Sequence, residues 1–136
     1  MPLMIFEKTH RSLVTAAMVA LIAGCDGGFH LSARVVDSEG HVIPHAKVLA
    51  TSGKSTETFN TISDSRGCLS LGGVIAPGKY DFTVSVAAQG YKPLEFAVPT
   101  LQYRTYQIVL AKAKQTFTSQ AQAFGADELK SHCGGI

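Results

Sequence analysis

Residues 80–86 read YDFTVSV, and this stretch decides the fold class. Apolar and polar side chains alternate along it without a break, so an extended chain would be apolar on one face and polar on the other. The apolar face holds Tyr80, Phe82, Val84 and Val86, and the polar face holds Asp81, Thr83 and Ser85. A helix would repeat its apolar residues every three or four positions, so the pattern predicts a β-strand with one buried face.

Further short segments that predict strands, several of them with the same alternation, lie on both sides of this one. They cover residues 31–35, 47–51, 57–63, 68–71, 94–98 and 106–110. Turn-forming residues separate them, as in DSEG at 37–40, DSRG at 64–67 and APGK at 76–79. Short strands at such regular spacing are typical of sandwiches and barrels. The sequence therefore predicts an all-β sandwich of seven strands over residues 29–111, with no helix before residue 111.

The segment at 57–63 is polar and rich in Thr, which predicts a strand at the edge of a sheet. An edge strand presents unpaired backbone groups, and such strands bind partner proteins by strand addition. Thr56, Thr58 and Thr61 are the residues that we expect at a partner-binding edge. A solvated edge without a partner is the alternative.

Beyond Lys112 the alternation stops. Residues 112–136 contain several Ala and Gln residues, few β-branched residues after Thr118 and a Gly in the middle. This composition predicts either a short helix or a loose tail, attached as a C-terminal extension to the sandwich.

The N-terminal region contains a short uncharged run, SLVTAAMVALIAG at residues 12–24. It is shorter than the roughly 20 apolar residues that a membrane-spanning helix needs. It is also apolar on every face, unlike a helix that packs on a domain. Lys8 and Arg11 precede it and small residues end it. This order predicts a secretory signal peptide over residues 1–24 that is removed from the mature protein, and Met4 is an alternative start.

Residues 22–25 read IAGC and resemble the bacterial lipobox, an aliphatic and two small residues before a cysteine. The resemblance implies that Cys25 is joined to lipid, that the chain is cut just before it, and that residues 25–28 form a short linker. Two or more acyl chains make such anchoring stable. Asp26 resembles an inner-membrane retention signal, but the choice between inner and outer membrane stays open. An export signal with an incidental Cys25 is the alternative.

The remaining cysteines agree with export. The chain has three cysteines, and with Cys25 lipidated the other two predict a disulfide between Cys68 and Cys133 in an oxidising compartment. Because Leu69 and Leu71 are expected to face the core, Cys68 should face away from it, where the C-terminal extension can reach it. Two free thiols are the alternative.

Composition and motifs argue against nucleic-acid binding, metal binding and catalysis. The chain has 12 Lys and Arg against 10 Asp and Glu, a net charge of +2 that provides no basic surface. The histidines after the signal segment are His30, His41, His45 and His132. His41 and His45 have the spacing of a helical metal pair, but Pro44 argues against a helix and no cysteine or carboxylate cluster completes a zinc set. No Gly-x-Ser-x-Gly motif occurs, so we expect no enzyme, no metal and no cofactor.

Two longer stretches together resemble the carboxypeptidase regulatory-like domain. They are RVVDSEGHVIPHAKVLATS at 34–52 and TISDSRGCLSLGGVIAPGKYDFTVSVAAQGYKPLEFAV at 61–98. The matching positions are Val35, Asp37, Gly40, Pro44, Ala46, Val48, Asp64, Gly67, Leu69, Leu71, Pro77, Gly78, Tyr80, Gly90 and Tyr91. Leu69 stands where an aromatic residue is common, and the pattern leaves the C-terminal extension unexplained. The resemblance implies a transthyretin-like, immunoglobulin-like sandwich of seven strands.

The resemblance also implies a non-catalytic folding or interaction module. One enzyme of similar fold, the hydrolase of 5-hydroxyisourate, has a His in its first strand and ends in Tyr-Arg-Gly-Ser. Here Arg34 stands nearest that His and the chain ends in SHCGGI, so we reject this activity. We expect a lipid-anchored protein that faces the periplasm and acts as a protein-binding or structural module of the bacterial envelope.

Two alternatives to this function remain. One is a lipoprotein component of a type VI-like secretion system, which also uses a transthyretin-like fold. The other is a carbohydrate-binding module, which normally presents exposed aromatic side chains on a flat face. Trp is absent from the chain, and Tyr103 is the aromatic residue expected to point outward.

Overall fold

The computed structural model describes residues 28–100 and 102–134, which form eight β-strands and one α-helix. The strands are β1 (Gly28–Asp37), β2 (Lys47–Thr51), β3 (Phe59–Ile62), β4 (Cys68–Val74), β5 (Asp81–Ala87), β6 (Leu94–Pro99), β7 (Tyr103–Leu110) and β8 (Gln120–Ala123), and the helix is α1 (Ala126–Cys133). The all-β class is confirmed, whereas the predicted count of seven strands is corrected to eight. The predicted signal peptide, Cys25 and Asp26 lie outside the described residues. Within those residues, the helix is too short and too polar to cross a membrane.

The strands form two four-stranded sheets that pack face to face. Sheet A has the order β4-β1-β7-β8, and sheet B has the order β3-β2-β5-β6. Neighbouring strands are antiparallel except for β1 and β7, which run parallel. Successive side chains of a strand point to opposite faces, so each sheet turns its apolar face inward. The result is the sandwich that the alternation predicts.

The main core consists of the inward-facing residues of both sheets. Its fully buried members include Leu31, Ala33, Val35, Phe82, Val84, Val86, Val98, Ile108 and Leu110. Phe29 from β1 and Phe82 from β5 stack across the two sheets with ring centroids 4.4 Å apart. Phe59 from β3 lies 5.7 Å from both rings. Three aromatic rings therefore join sheet A to sheet B.

β8 is the strand that the sequence analysis missed. Its sequence, QAQA, has no β-branched or aromatic residue, and Ala is depleted in strands. Nevertheless, β8 pairs with β7 from Gln120 to Ala123, and Ala121 packs against the main core. Here the free edge of β7 and the contact with the core override the local preference, so the sandwich extends past residue 111.

α1 covers part of the outer face of sheet A. Its buried residues, Leu129 and Cys133, form a second apolar cluster with Cys68 and the partly buried Phe124. Cys133 forms a disulfide with Cys68, with 5.7 Å between their Cα atoms and a separation of 65 residues in sequence. The structure thus contains the predicted disulfide and the predicted short helix, and Cys68 faces away from the main core as expected.

Consecutive strands run in opposite directions, so their connections lie at one of two ends of the sandwich. The Gly28 end is the one where β1 begins, and it carries the connections at residues 52–58 and 75–80 and the one between β6 and β7. The opposite Asp37 end carries the connections at residues 38–46, 63–67, 88–93 and 111–119. The Gly28 end is therefore nearest in sequence to Cys25.

Candidate functional site

Two turns with the sequence Asp-Ser-x-Gly lie at the Asp37 end. Oδ1 of Asp37 accepts the backbone N–H groups two and four residues further on, each at 2.9 Å. Oδ1 of Asp64 accepts the equivalent pair at 2.8 and 3.0 Å. Gly40 and Gly67 close the turns with positive φ angles of 86° and 75°, and a Cβ at Gly67 would lie 2.6 Å from the carbonyl oxygen of Val35. The two aspartates therefore hold the turns in shape.

The first turn also brings together three side chains of the types that bind metals. Nδ1 of His41 lies 3.4 Å from Oδ2 of Asp37 and 3.4 Å from Oε2 of Glu39, and the candidate ligand atoms lie within 4.8 Å of one another. The His41 side chain is 74% exposed, and Oδ1 of Asp37 is already occupied by backbone N–H groups. The turn itself explains this grouping, and we assign no metal to it.

We expect the two turns to make the fold sensitive to acid. Burial acts to raise the pKa of Asp37, but the backbone N–H groups of His41 and Glu39 outweigh it, so the pKa lies below its ordinary value. The N–H of Cys68 is the main cause that lowers the pKa of Asp64. Such carboxylates stabilise the fold above their unfolded pKa, and this stability is lost as pH falls through the folded pKa. The urea midpoint should therefore decrease as pH is lowered from about 4 to about 2.

The variant Asp64→Asn tests the origin of this acid sensitivity. Its side-chain oxygen still accepts hydrogen bonds but no longer titrates, so its urea midpoint should change less with acid than that of the parent protein. Asp81→Asn, which removes an exposed carboxylate from β5, is the matched control. An unaltered pH dependence in Asp64→Asn would contradict the role of Asp64.

The other histidines lie apart from one another. His30 is in β1, His45 is in the connection between β1 and β2, and His132 is in α1, and all three are exposed. Residues 41–45 are not helical. The spacing of His41 and His45 therefore does not place them on one helix face, which agrees with the expectation from Pro44.

Two open grooves lie at opposite ends of the sandwich. The groove at the Asp37 end has a volume of about 650 Å³, and its polar lining residues are His45, Lys47, Gln89 and Tyr91. The groove at the Gly28 end has a volume of about 590 Å³, and its lining includes Lys54, Lys79, Tyr80, Asp81, Thr100 and Gln102. Neither lining contains a serine or a cysteine. Both grooves are open surface features.

The Thr-rich segment is only partly a strand. β3 begins at Phe59, so Thr56 and Thr58 lie exposed in the preceding loop, while Thr61 lies in β3 and is half-buried because it faces inward. β3 is an edge strand of sheet B. The edge lies where the sequence predicts it, but two of the three predicted threonines lie outside the strand.

The outward residues of β3 are the ones that the sequence analysis did not select. The N–H of Ser63 donates to the carbonyl oxygen of Ala46 at 3.0 Å. Hydrogen-bonded pairs alternate along an antiparallel ladder, so the N–H and C=O groups of Asn60 and Ile62 point away from β2. The side chain of Ile62 is 55% exposed. The apolar Phe59 at the start of FNTI is the signal that could have identified these positions, because an inward Phe59 places Thr61 inward and Asn60 and Ile62 outward.

Tyr103 is exposed, as expected, but its hydroxyl group is engaged. The residue is 59% exposed, and its hydroxyl oxygen lies 2.7 Å from Oγ of the fully buried Ser32. Oγ of Ser32 also donates to Oγ of Ser70 at 3.3 Å. The other exposed aromatic residue of the described part of the chain, Phe117, lies in the connection after β7 at the opposite end of the sandwich. The two rings do not form the flat aromatic face that a carbohydrate-binding module typically presents, so the structure does not favour that alternative.

Comparison with known proteins agrees with the fold. Residues 30–116, more than half of the chain, match the carboxypeptidase regulatory-like domain. No curated protein matches the sequence. Among solved structures, 3-chlorocatechol 1,2-dioxygenase from Rhodococcus opacus 1CP is similar over 64% of this chain and 60% of that chain, with 10% identity and a TM-score of 0.48, too distant to indicate function. The chain belongs to the carboxypeptidase regulatory-like domain family.

Proposed function

We propose that the protein is a non-enzymatic, lipid-anchored module of the bacterial cell envelope that binds a protein partner through the edge of sheet B. The open backbone of β3 is the observation that carries this proposal. Asn60 and Ile62 offer N–H and C=O groups to an added strand, and such groups supply the main-chain affinity in strand addition. No nucleic acid, metal or cofactor is part of the proposal.

The outer face of sheet B supports binding next to this edge. Ile62 is 55% exposed and Leu49 of the neighbouring β2 is 44% exposed. Leu49 pairs with Asn60 across the ladder, and on its other side it pairs with Ser85 of β5. An added strand at β3 would therefore lie beside exposed apolar side chains, against which its own side chains could pack; strand addition takes its specificity from such side-chain contacts.

Two observations support the anchor. The IAGC sequence ends at Cys25, and β1 begins only three positions later, at Gly28. The disulfide between Cys68 and Cys133 is of the kind that persists in oxidising compartments such as the periplasm. We therefore assign the mature protein to the periplasmic side of a membrane, attached by lipid at Cys25.

In-cell photocrosslinking tests the binding edge. With a photoreactive residue at position 60 in place of Asn60, we expect one set of envelope proteins to be captured, because that position borders the open side of β3. The matched control carries the same residue in place of Gln122, which is exposed on β8 in sheet A. Equal capture from both positions, or none from position 60, would contradict the edge assignment.

The same experiment in a Cys25→Ala background tests the anchor. We expect this variant to lose incorporation of labelled palmitate, to keep the uncut segment 1–24 and therefore to migrate as a larger protein, and to capture less partner. If it still incorporates palmitate, or if the parent protein incorporates none, the lipid anchor at Cys25 is wrong while the binding edge is still judged by position 60. Captured proteins of a secretion machine would narrow the partner class to that machine.

A further inference from the structure

The Gly28 end carries the most exposed large apolar side chain of the described part of the chain. Val74, the last residue of β4, is 79% exposed. It is the direct partner of Gly28 in the antiparallel register of β1 and β4. Val74 is therefore held beside the point where the chain enters the sandwich from its N-terminal side.

The linker between Cys25 and this end is very short. Three residue steps separate Cys25 from Gly28, and a fully extended chain covers at most about 11 Å over that length. If Cys25 carries lipid, the Gly28 end cannot move further than this from the headgroup layer. The tether limits the position of this end alone, so the tilt of the domain depends on which of its surfaces contacts the headgroups.

Cationic side chains surround the same end. Lys54 and Lys79 line one groove there, and Arg104, the second residue of β7, is exposed. Carboxylates lie at this end as well: Glu57 and Asp81 are exposed, and Asp26 of the linker adds a third. Lysine and arginine side chains near a bilayer surface are each attracted to anionic lipids, so the contact depends on where Lys54 and Lys79 lie and not on a net positive charge of this end.

We propose that the Gly28 end is a membrane-contact surface, with Val74 at the boundary of the headgroups and with Lys54 and Lys79 against the phosphates of anionic phospholipids. This inference rests on the lipid anchor proposed above and adds a fixed orientation to it. The contact need not be strong by itself. A short linker keeps the local concentration of the surface in the millimolar range or above, so weak attractions suffice to hold the domain in one orientation.

The absence of Trp from the chain makes the orientation measurable. Val74→Trp and Val42→Trp each introduce a single fluorescent probe at an exposed valine, the first at the Gly28 end and the second at the Asp37 end. Each lipidated full-length variant is reconstituted in vesicles of phosphatidylethanolamine and phosphatidylglycerol that contain brominated acyl chains. We expect blue-shifted, quenched emission from Val74→Trp and water-like, unquenched emission from Val42→Trp. Ala76→Trp, also exposed at the Gly28 end, provides a second probe if the first variant folds poorly.

Charge variants test the role of the lysines. Replacing Lys54 and Lys79 by Gln in the Val74→Trp protein should lower the ratio of docked to undocked domains roughly fivefold for each lysine, and quenching should decrease accordingly. Lys112→Gln with Lys114→Gln, which removes two exposed lysines at the Asp37 end, should leave quenching unchanged. In vesicles of phosphatidylcholine alone, which carry no net charge, the parent probe should behave like the lysine variant.

The outcomes separate the two proposals. If the protein does not float with the vesicles, the lipid anchor is wrong. If it floats but Val74→Trp and Ala76→Trp stay water-like, the anchor stands and the membrane-contact surface is overturned. Equal quenching at positions 74 and 42 also overturns it, because the domain would then have no preferred orientation.

Discussion

Removing the disulfide with the double substitution Cys68→Ala/Cys133→Ala should lower the free energy of unfolding by about 2 to 4 kcal/mol. The bond closes a loop of 65 residues, and a crosslink of that span removes much of the conformational entropy of the unfolded chain. The loss should appear as a lower urea midpoint, measured with the oxidised parent protein as reference.

Cys25→Ala is the matched control for this prediction, because it removes a cysteine that takes no part in the bond. Both proteins are compared in the same detergent, so that the lipid does not decide the outcome. We expect the control to unfold like the parent. In the double variant the backbone amide hydrogens of α1 should exchange with solvent faster than those of the strands, because α1 buries only Leu129 and Cys133. An unchanged urea midpoint in the double variant would show that the bond adds nothing to stability.

Phe82→Ala should be the most damaging single substitution in the core, with a loss of about 3 to 5 kcal/mol. Phe82 is fully buried and contacts aromatic rings from both sheets, with Phe29 at 4.4 Å, Phe59 at 5.7 Å and Tyr80 at 5.8 Å between centroids. Truncation therefore removes buried apolar area and leaves a cavity between the sheets.

The measurement is equilibrium unfolding, with Phe117→Ala as the control at an exposed phenylalanine. The control should change the free energy of unfolding by less than about 0.5 kcal/mol. Phe82→Leu keeps part of the side-chain volume and should fall between the control and Phe82→Ala. A loss below about 1 kcal/mol for Phe82→Ala would mean that the sheets close over the gap.

Most of the sandwich could be predicted because its strands are two-faced. In YDFTVSV and in the strand at 94–98 the alternation identifies the buried positions, since every second residue must be apolar to fill the core. The same alternation in β4 predicted that Cys68 faces outward, because Leu69 and Leu71 face inward. An outward Cys68 is accessible to Cys133 of the C-terminal extension, with which it forms the disulfide. β8 could not be found in this way, because QAQA has no strand preference of its own and its pairing depends on the free edge of β7 and on the contact of Ala121 with the core.

The candidate binding edge shows the same limit. The polar composition around residue 60 predicted a sheet edge, but it did not show that the strand starts only at Phe59 or that Thr61 faces inward. Those facts depend on the register with β2, which brings Ala50 opposite Phe59 and Val48 opposite Thr61. Each Asp-Ser-x-Gly turn alone can be predicted from the sequence. That both turns lie at the same end of the sandwich follows from the arrangement of the strands.

The disulfide also determines how the anchored domain would respond to mechanical force. A pull between a fixed N-terminus and the C-terminal segment passes from Cys133 to Cys68 through the disulfide, so the chain between these cysteines, which includes β4 to β8, forms a closed loop that the pull cannot extend. The pull instead draws β1 against the two strands that hold it. These are β4, antiparallel from Gly28 with Val74 to Arg34 with Cys68, and β7, parallel from His30 with Tyr103 to Asp37 with Leu110. A force applied at Gly28 and at Cys68 acts along these strands and shears both ladders. A partner that pulls on the C-terminal segment would therefore extend the domain only after both ladders have failed.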